Sequence, residues 1–391
     1  MADKRCILNG SILNKLNNSK AHIIPSAIGG RLKPKNILSK EANEELNYKF
    51  DKNLCKAFSE IMSLVNGSRD SGQNLSLPLH SITESKISNN EISIEVQAKD
   101  LKWLRICLGK LKKQYPELNI HSALNKRENI VGTINYELCA NIGPIVTFPA
   151  AFVMASLFAA TNEMPVHHSF KDYVKNFDIN KPSMPPDTFY FCNLQNIFKT
   201  KAELGHNMFY FGDYVNARAL FYLELFNMPG IAVKMPFCAK KDVYFSYSIG
   251  ILNGKEVNLD LEKNALKQLK WEATHILGDE ALFEKFRFCL DHIINFTMMR
   301  QFKLIVKGIL NIILKNSSLD PTFKNLLKTS LNSIRTVEFS QSHISEFYAL
   351  LNTYCNNFNS NKVDDQIFFI ILAKTIALSL PFNSTGYVID A

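Results

Sequence analysis

Residues 21 to 46, AHIIPSAIGGRLKPKNILSKEANEEL, hold the side chains best placed to act on a polyanion. The imidazole of His22 titrates near neutrality, so it can take or release a proton at physiological pH. Asn36 and Asn43 follow at intervals, and Arg31, Lys33 and Lys35 lie between them. Such basic residues attract a phosphate backbone and fix its position without reading its sequence. The charge of the chain agrees with this. Of a formal net +9, a net +5 sits in residues 1 to 60, which hold eleven Lys/Arg and six Asp/Glu.

The order of the pieces in this segment is His-Ile-Ile-Pro at 22 to 25, Gly29-Gly30, Asn36-Ile37-Leu38, and then Asn43 entering a helix. It resembles the HNH nuclease family. The branch it resembles has a CxxC pair, a His-Ile-Ile-Pro strand, a Gly-Gly turn, an Asn-Ile-Leu piece, and a second CxxC followed by Asn. The resemblance implies a ββα unit that grips one divalent metal, Mg²⁺ or another, and cuts nucleic acid, with DNA the expected substrate. It implies that His22 is the general base that activates water, that Asn36 orients His22, and that Asn43 binds the metal. An imidazole suits that proton transfer, and an amide oxygen suits a hard cation.

Two departures from the family pattern matter. The four zinc cysteines of the family fall here at Cys6, Asn9, Ser39 and Ala42. Structural zinc is therefore not expected, since such sites use four Cys or His ligands. The position before the base, often an acidic metal ligand in relatives, is Ala21. Asp51 is the nearest carboxylate downstream of Asn43 that offers a replacement. The alternative function is a module of the same fold that binds nucleic acid or a protein partner without cutting.

The elements that must position these residues can be read from periodicity. His22–Pro25 and Leu32–Leu38 have the character of short strands split by the glycine turn. Leu46, Phe50, Leu54, Phe58, Ile61 and Leu64 recur at steps of three and four, which predicts an amphipathic helix over 40–65. Residues 66 to 90 are rich in Ser, Asn and Gly and suit a linker. Alternation of Ile92, Ile94 and Val96 predicts a strand. Further strands are expected near 130–138, 207–212, 218–236 and 242–252, with a helix over 101–114 and an apolar helix over 149–160. From 263 onward the spacing is helical. The expected architecture is α+β, with an HNH-like ββα module at 1–65, a linker at 66–90, a mixed α/β domain at 91–262 and a helical region at 263–391. Residues 92 to 114 and 205 to 236 also resemble the layout of a domain that follows this module in some bacterial proteins.

The other features point to ordinary structure. Eight cysteines without a CxxC pair suit a reducing, cytoplasmic setting rather than a disulfide framework. The N-terminus has no apolar secretory core. Residues 141 to 161 are uncharged and nearly long enough to span a bilayer. However, Pro144 and Pro149 should break the first half and leave a buried helix, so no membrane partner is expected. His167-His168 reads as a solvated loop, Asp291-His292 as a helix surface pair, and Lys110, Lys112 and Lys113 as a solvated basic face. No phosphate-cradling glycine loop or internal repeat is present.

Overall fold

The computed structural model describes residues 4–65, 142–274 and 280–293, apart from positions 193, 195 and 196. It also describes the backbone of three strands between 81 and 140. The expected helix over 101–114, the lysine cluster at 110–113 and most of the C-terminal region lie outside these residues.

The N-terminal helix forms as its apolar spacing requires, but in three parts. Helix α1 (Lys40–Leu46) begins at Ser39, whose hydroxyl accepts from the Ala42 N–H. This is the usual way to satisfy one of the open donors of a first turn. A π turn follows at Asn47–Asp51, closed by the Lys52 N–H onto the Asn47 carbonyl, and α2 (Lys52–Leu64) continues from it. Ala42, Leu46, Phe50, Leu54 and Phe58 are all buried.

Three antiparallel strands come next, β1 (Ser81–Ser88), β2 (Glu91–Ala98) and β3 (Ile134–Ala140), in that spatial order. The strand read at 92–96 lies within β2. The stretch expected to be a linker carries β1 in its second part, where Ile82, Thr83 and Ile87 are β-branched residues that favour extended backbone.

Helix α3 (Pro144–Thr161) starts five residues earlier than the sequence suggests. Pro144 occupies the first turn, where a missing N–H costs nothing. Pro149 lies inside the helix rather than breaking it. The carbonyl it leaves unserved belongs to Ile145, which is 38% exposed and so open to water. Among the described residues α3 alone is long and apolar enough to cross a membrane, and most of it is buried inside the protein. The short helix α4 (Phe170–Asn176) follows.

A six-stranded antiparallel sheet forms the body. It is built from β4 (Thr188–Tyr190), β6 (Gly205–Asp213), β7 (Arg218–Glu224), β8 (Ile231–Met235), β9 (Val243–Gly250) and β10 (Glu256–Val257). Its order is β10-β9-β6-β7-β8-β4, while β5 (Phe198–Thr200) pairs separately with β11 (Asp260–Leu261). The strands expected around 207–212, 218–236 and 242–252 are β6 to β9.

Every residue of β6 is buried, so both sheet faces are covered. Successive side chains alternate between the faces. Phe221 meets Phe158 of α3 on one face. On the other, Phe209, Phe211, Leu220 and Tyr222 pack with Leu266 of α5 (Lys263–Gln268) and with Trp271. Because Leu266 and Trp271 belong to this core, the chain does not divide at 262. Residues 1 to 294 form one compact unit, with residues 280 to 293 helical, and residues 295 to 391 form a second.

Candidate functional site

His22 lies in irregular backbone, not in a strand. Neither His22–Pro25 nor Leu32–Leu38 forms a regular ladder. The two segments are joined by one backbone bond, from the Ile23 N–H to the Leu32 carbonyl at 3.1 Å. Pro25 and Pro34 explain this, since each removes a ladder donor. The expected pair of strands is thus an extended ribbon closed by a single turn of 3₁₀ helix at Ser26–Ile28.

That turn depends on its two glycines. Gly29 has φ +100°, a conformation that side chains disfavour. Gly30 donates to the Pro25 carbonyl, and a Cβ at this position would sit 1.9 Å from the Ile24 carbonyl oxygen. The Gly-Gly pair therefore lets the chain reverse directly behind His22.

His22 itself is half-buried, and the preceding Ala21 is 5% exposed. The methyl of Ala21 thus fills a buried position where an acidic side chain would otherwise stand. Asn36 is exposed and left-handed, with φ +62°, which Asn tolerates better than most residues. It forms a reciprocal pair with Asn18. Asn18 Nδ2 donates to Asn36 Oδ1 at 2.6 Å, and the Asn36 N–H donates to Asn18 Oδ1 at 3.0 Å. Asn43 is half-buried on α1, with its main-chain N–H donating to the Ser39 carbonyl.

Lys33 and Lys35 are exposed on the ribbon. The guanidinium of Arg31 lies against the β9–β10 turn, where a Cβ on Gly254 would come within 2.3 Å of it. Arg31 therefore touches the sheet body as well as the module.

The four positions that carry zinc cysteines in the family are drawn together by hydrogen bonds. The Gly10 N–H closes a turn onto the Cys6 carbonyl, and the Ile7 N–H reaches the Ile37 carbonyl. Asn9 Nδ2 donates to Ser39 Oγ at 3.2 Å, and that same oxygen caps Ala42. Cys6 is buried at the centre of this turn.

Asp51 ends the π turn, eight residues past Asn43. At 1.5 Å per residue that is roughly 12 Å along the helix, too far for both to hold one ion. Burial pushes its carboxyl up to about 7. The folded state thus keeps a proton that the unfolded chain releases near the ordinary 3.8. Stability from this group is present below about pH 4 and is lost as pH rises to about 7. Asp51→Asn is expected to flatten that decline and to raise stability at pH 8, by at most ~4 kcal/mol at ~1.4 kcal/mol per pH unit. Denaturant titrations of both proteins from pH 4 to 8 would measure it. Parallel curves would show that Asp51 is not protonated in the folded protein.

His167 is buried, not solvated. Its Nε2 donates to Asp187 at 3.2 Å, its Nδ1 accepts from the Ser169 N–H, and its ring meets Phe152 edge-on. His168 is exposed and stacked on it, and Asp291 and His292 are exposed on the last helix. Among the described residues, no three His, Cys, Asp or Glu side chains gather so as to hold a metal ion.

One side chain near the ribbon carries no signal in the sequence. His206, at the start of β6, is fully buried and bonds to the Ile28 carbonyl at 2.6 Å. A lone histidine in an apolar strand gives no hint of a partner 178 residues away.

Residues 6–59 match the family model described as HNH endonuclease, so this N-terminal segment is an HNH-family module. That family is one of nucleases acting on nucleic acid. No curated protein and no solved structure matches the chain.

Proposed function

We propose that the chain is a divalent-metal-dependent endonuclease of HNH type that hydrolyses phosphodiester bonds, with DNA as its substrate. The observation that carries this reading is the family match at 6–59, with the family's histidine kept as His22 and exposed Lys33 and Lys35 on the same ribbon. His22 accepts a proton from water as the water oxygen bonds to phosphorus, and the bond to the leaving sugar oxygen breaks. Asn36 orients His22. Lys33 and Lys35, with Arg31 at the seam to the sheet, hold the flanking phosphates.

The protein's own donors do not fit a resident cation. Ala21 offers none, Asn43 is neutral, and Mg²⁺ usually takes one or two carboxylates. The cation therefore belongs with the substrate, whose phosphate oxygens bring the missing charge, and Asn43 is the protein's contribution to it.

The decisive experiment incubates the purified protein with plasmid DNA and Mg²⁺ or Mn²⁺. Cleavage should require metal, and His22→Ala should slow it by about 10²–10⁴, the typical cost of losing a general base. DNA binding should stay close to wild type, because it rests on Lys and Arg. Undiminished cleavage by His22→Ala would place the base elsewhere.

The lack of an acidic ligand favours a second reading, a module that binds nucleic acid without cutting. Its signature is binding that weakens steeply with salt, and no cleavage with any divalent ion on DNA or RNA. In either reading, Arg31→Ala/Lys33→Ala/Lys35→Ala should reduce the slope of log affinity against log salt by about 2–3, at ~0.9 for each phosphate no longer neutralised. An unchanged slope would put the basic surface on another part of the protein.

A further inference from the structure

We propose that His206 is a positioning residue for His22, acting across the seam between the HNH module and the sheet. This rests on the reading of His22 as the base. The imidazole of His206 uses both nitrogens. Nδ1 accepts from the Phe226 N–H at 3.2 Å within the sheet, and Nε2 donates to the Ile28 carbonyl at 2.6 Å in the module. These partners define the neutral form with its proton on Nε2. Burial holds its pKa down at about 4, so the bond to Ile28 is intact at neutral pH.

The Ile28 carbonyl is the last of the 3₁₀ turn, six residues beyond His22, and the chain reverses at Gly29 immediately after it. Gly29 is hemmed in by the same wall. A Cβ there would meet Ile251 of the β9–β10 region at 2.9 Å, Met62 of α2 at 3.5 Å and His206 at 3.8 Å. The ring of Phe226 stands edge-on to His206 and stacks on Phe58 of α2 at 5.2 Å. The ribbon carrying His22 has only one backbone bond between its two limbs, so its own hydrogen bonding cannot fix it. The sheet supplies the missing constraint through His206. A displacement of about 1 Å at a reacting group costs about a hundredfold in rate, which sets the scale of the effect.

Two substitutions separate positioning from simple core filling. In His206→Gln the amide nitrogen can occupy the place of Nε2 and keep the bond to Ile28. In His206→Asn the shorter side chain can keep the Phe226 bond but cannot reach the module. With the full-length protein, plasmid cleavage at saturating DNA should fall about a hundredfold in His206→Asn and stay within about threefold of wild type in His206→Gln, with DNA affinity unchanged in both. Amide exchange at Gly29 and Gly30, measured without DNA, should quicken in the Asn variant alone. Gly29→Ala leaves His206 in place and displaces the same turn, so it should reproduce the Asn variant. Equal losses in the Gln and Asn variants, wild-type exchange in the Asn variant, or wild-type behaviour of Gly29→Ala would overturn the proposal. If the wild type does not cut DNA, the nuclease reading fails, while the exchange contrast still decides whether His206 fixes the turn.

Discussion

Asn9→Cys/Ser39→Cys/Ala42→Cys, combined with the native Cys6, is expected to create a tetrahedral zinc site in the HNH module. The four positions already converge. Cys6 and Asn9 share a turn closed by Gly10, Asn9 bonds to Ser39, and Ser39 caps Ala42. Four thiolates there need only small adjustments to reach Zn–S distances of about 2.3 Å. Structural zinc in small peptides binds with an apparent ~10–16 kcal/mol at neutral pH. Even at a thousandfold excess over Kd, folded-state binding adds about 4 kcal/mol. For a unit of this size that corresponds to a Tm rise of roughly 10 °C. Elemental analysis should find one zinc per variant chain, and a chelator should cancel the gain. No tight zinc would show that the four positions do not meet as the hydrogen bonds indicate. Wild type meanwhile depends on those bonds alone.

The second large effect concerns independence. A fragment of residues 1–65 is expected to remain unfolded in isolation, whereas residues 1–294 fold. Leu54, Phe58, Ile61 and Met62 of α2 are each at most 2% exposed, and Phe58 is covered by Phe226 of the sheet body. Phe50 packs on Phe177, and Lys49 donates to the Val174 carbonyl. Stripping cover from four such side chains costs about 1.5–3 kcal/mol each, comparable to the whole stability of a typical domain at about 5–15 kcal/mol. Chains of this length are marginal even with a complete core. Circular dichroism and amide dispersion of the two fragments would settle the point. A cooperative melt from 1–65 would show that the module carries its own core.

What the sequence reveals and what it hides divide along a physical line. The apolar repeat over 46–64 and the alternation at 92–96 are local patterns, and the chain realises them as α1–α2 and β2. The long apolar strands β6 to β9 are legible for the same reason. The HNH module is legible because Gly29, Gly30 and the His-Ile-Ile-Pro and Asn-Ile-Leu pieces each answer a demand of one tight reversal. The regularity of the two limbs is misjudged, because apolar content suggests strands while Pro25 and Pro34 remove the donors a ladder needs. Pro149 misleads in the opposite sense, since tolerance there depends on the exposure of Ile145. The contacts of His206, Arg31 and Phe226 across the seam join segments far apart in the chain, and no local pattern encodes them. The buried state of His167 is hidden likewise, because Asp187 is twenty residues off.

The π turn at Asn47–Asp51 has a consequence for which changes in length the protein can tolerate. Buried side chains follow one another in steps of four from Ala42 through Phe58. In an ordinary α-helix each such step overshoots a full turn by about 40°, so the stripe would wind off its face within a few steps. A turn closed from Lys52 back to Asn47 is wider than 3.6 residues, and it takes up part of that excess. It works as a phase corrector between two faces that must stay aligned. Ala42 and Leu46 stay against the zinc-less turn and the ribbon, while Leu54 and Phe58 stay against the sheet. Removing one residue between 47 and 51 would give a more regular helix and a worse protein, because everything beyond would rotate by about 100°. The local irregularity is the tolerance that lets one rod serve two partners at once.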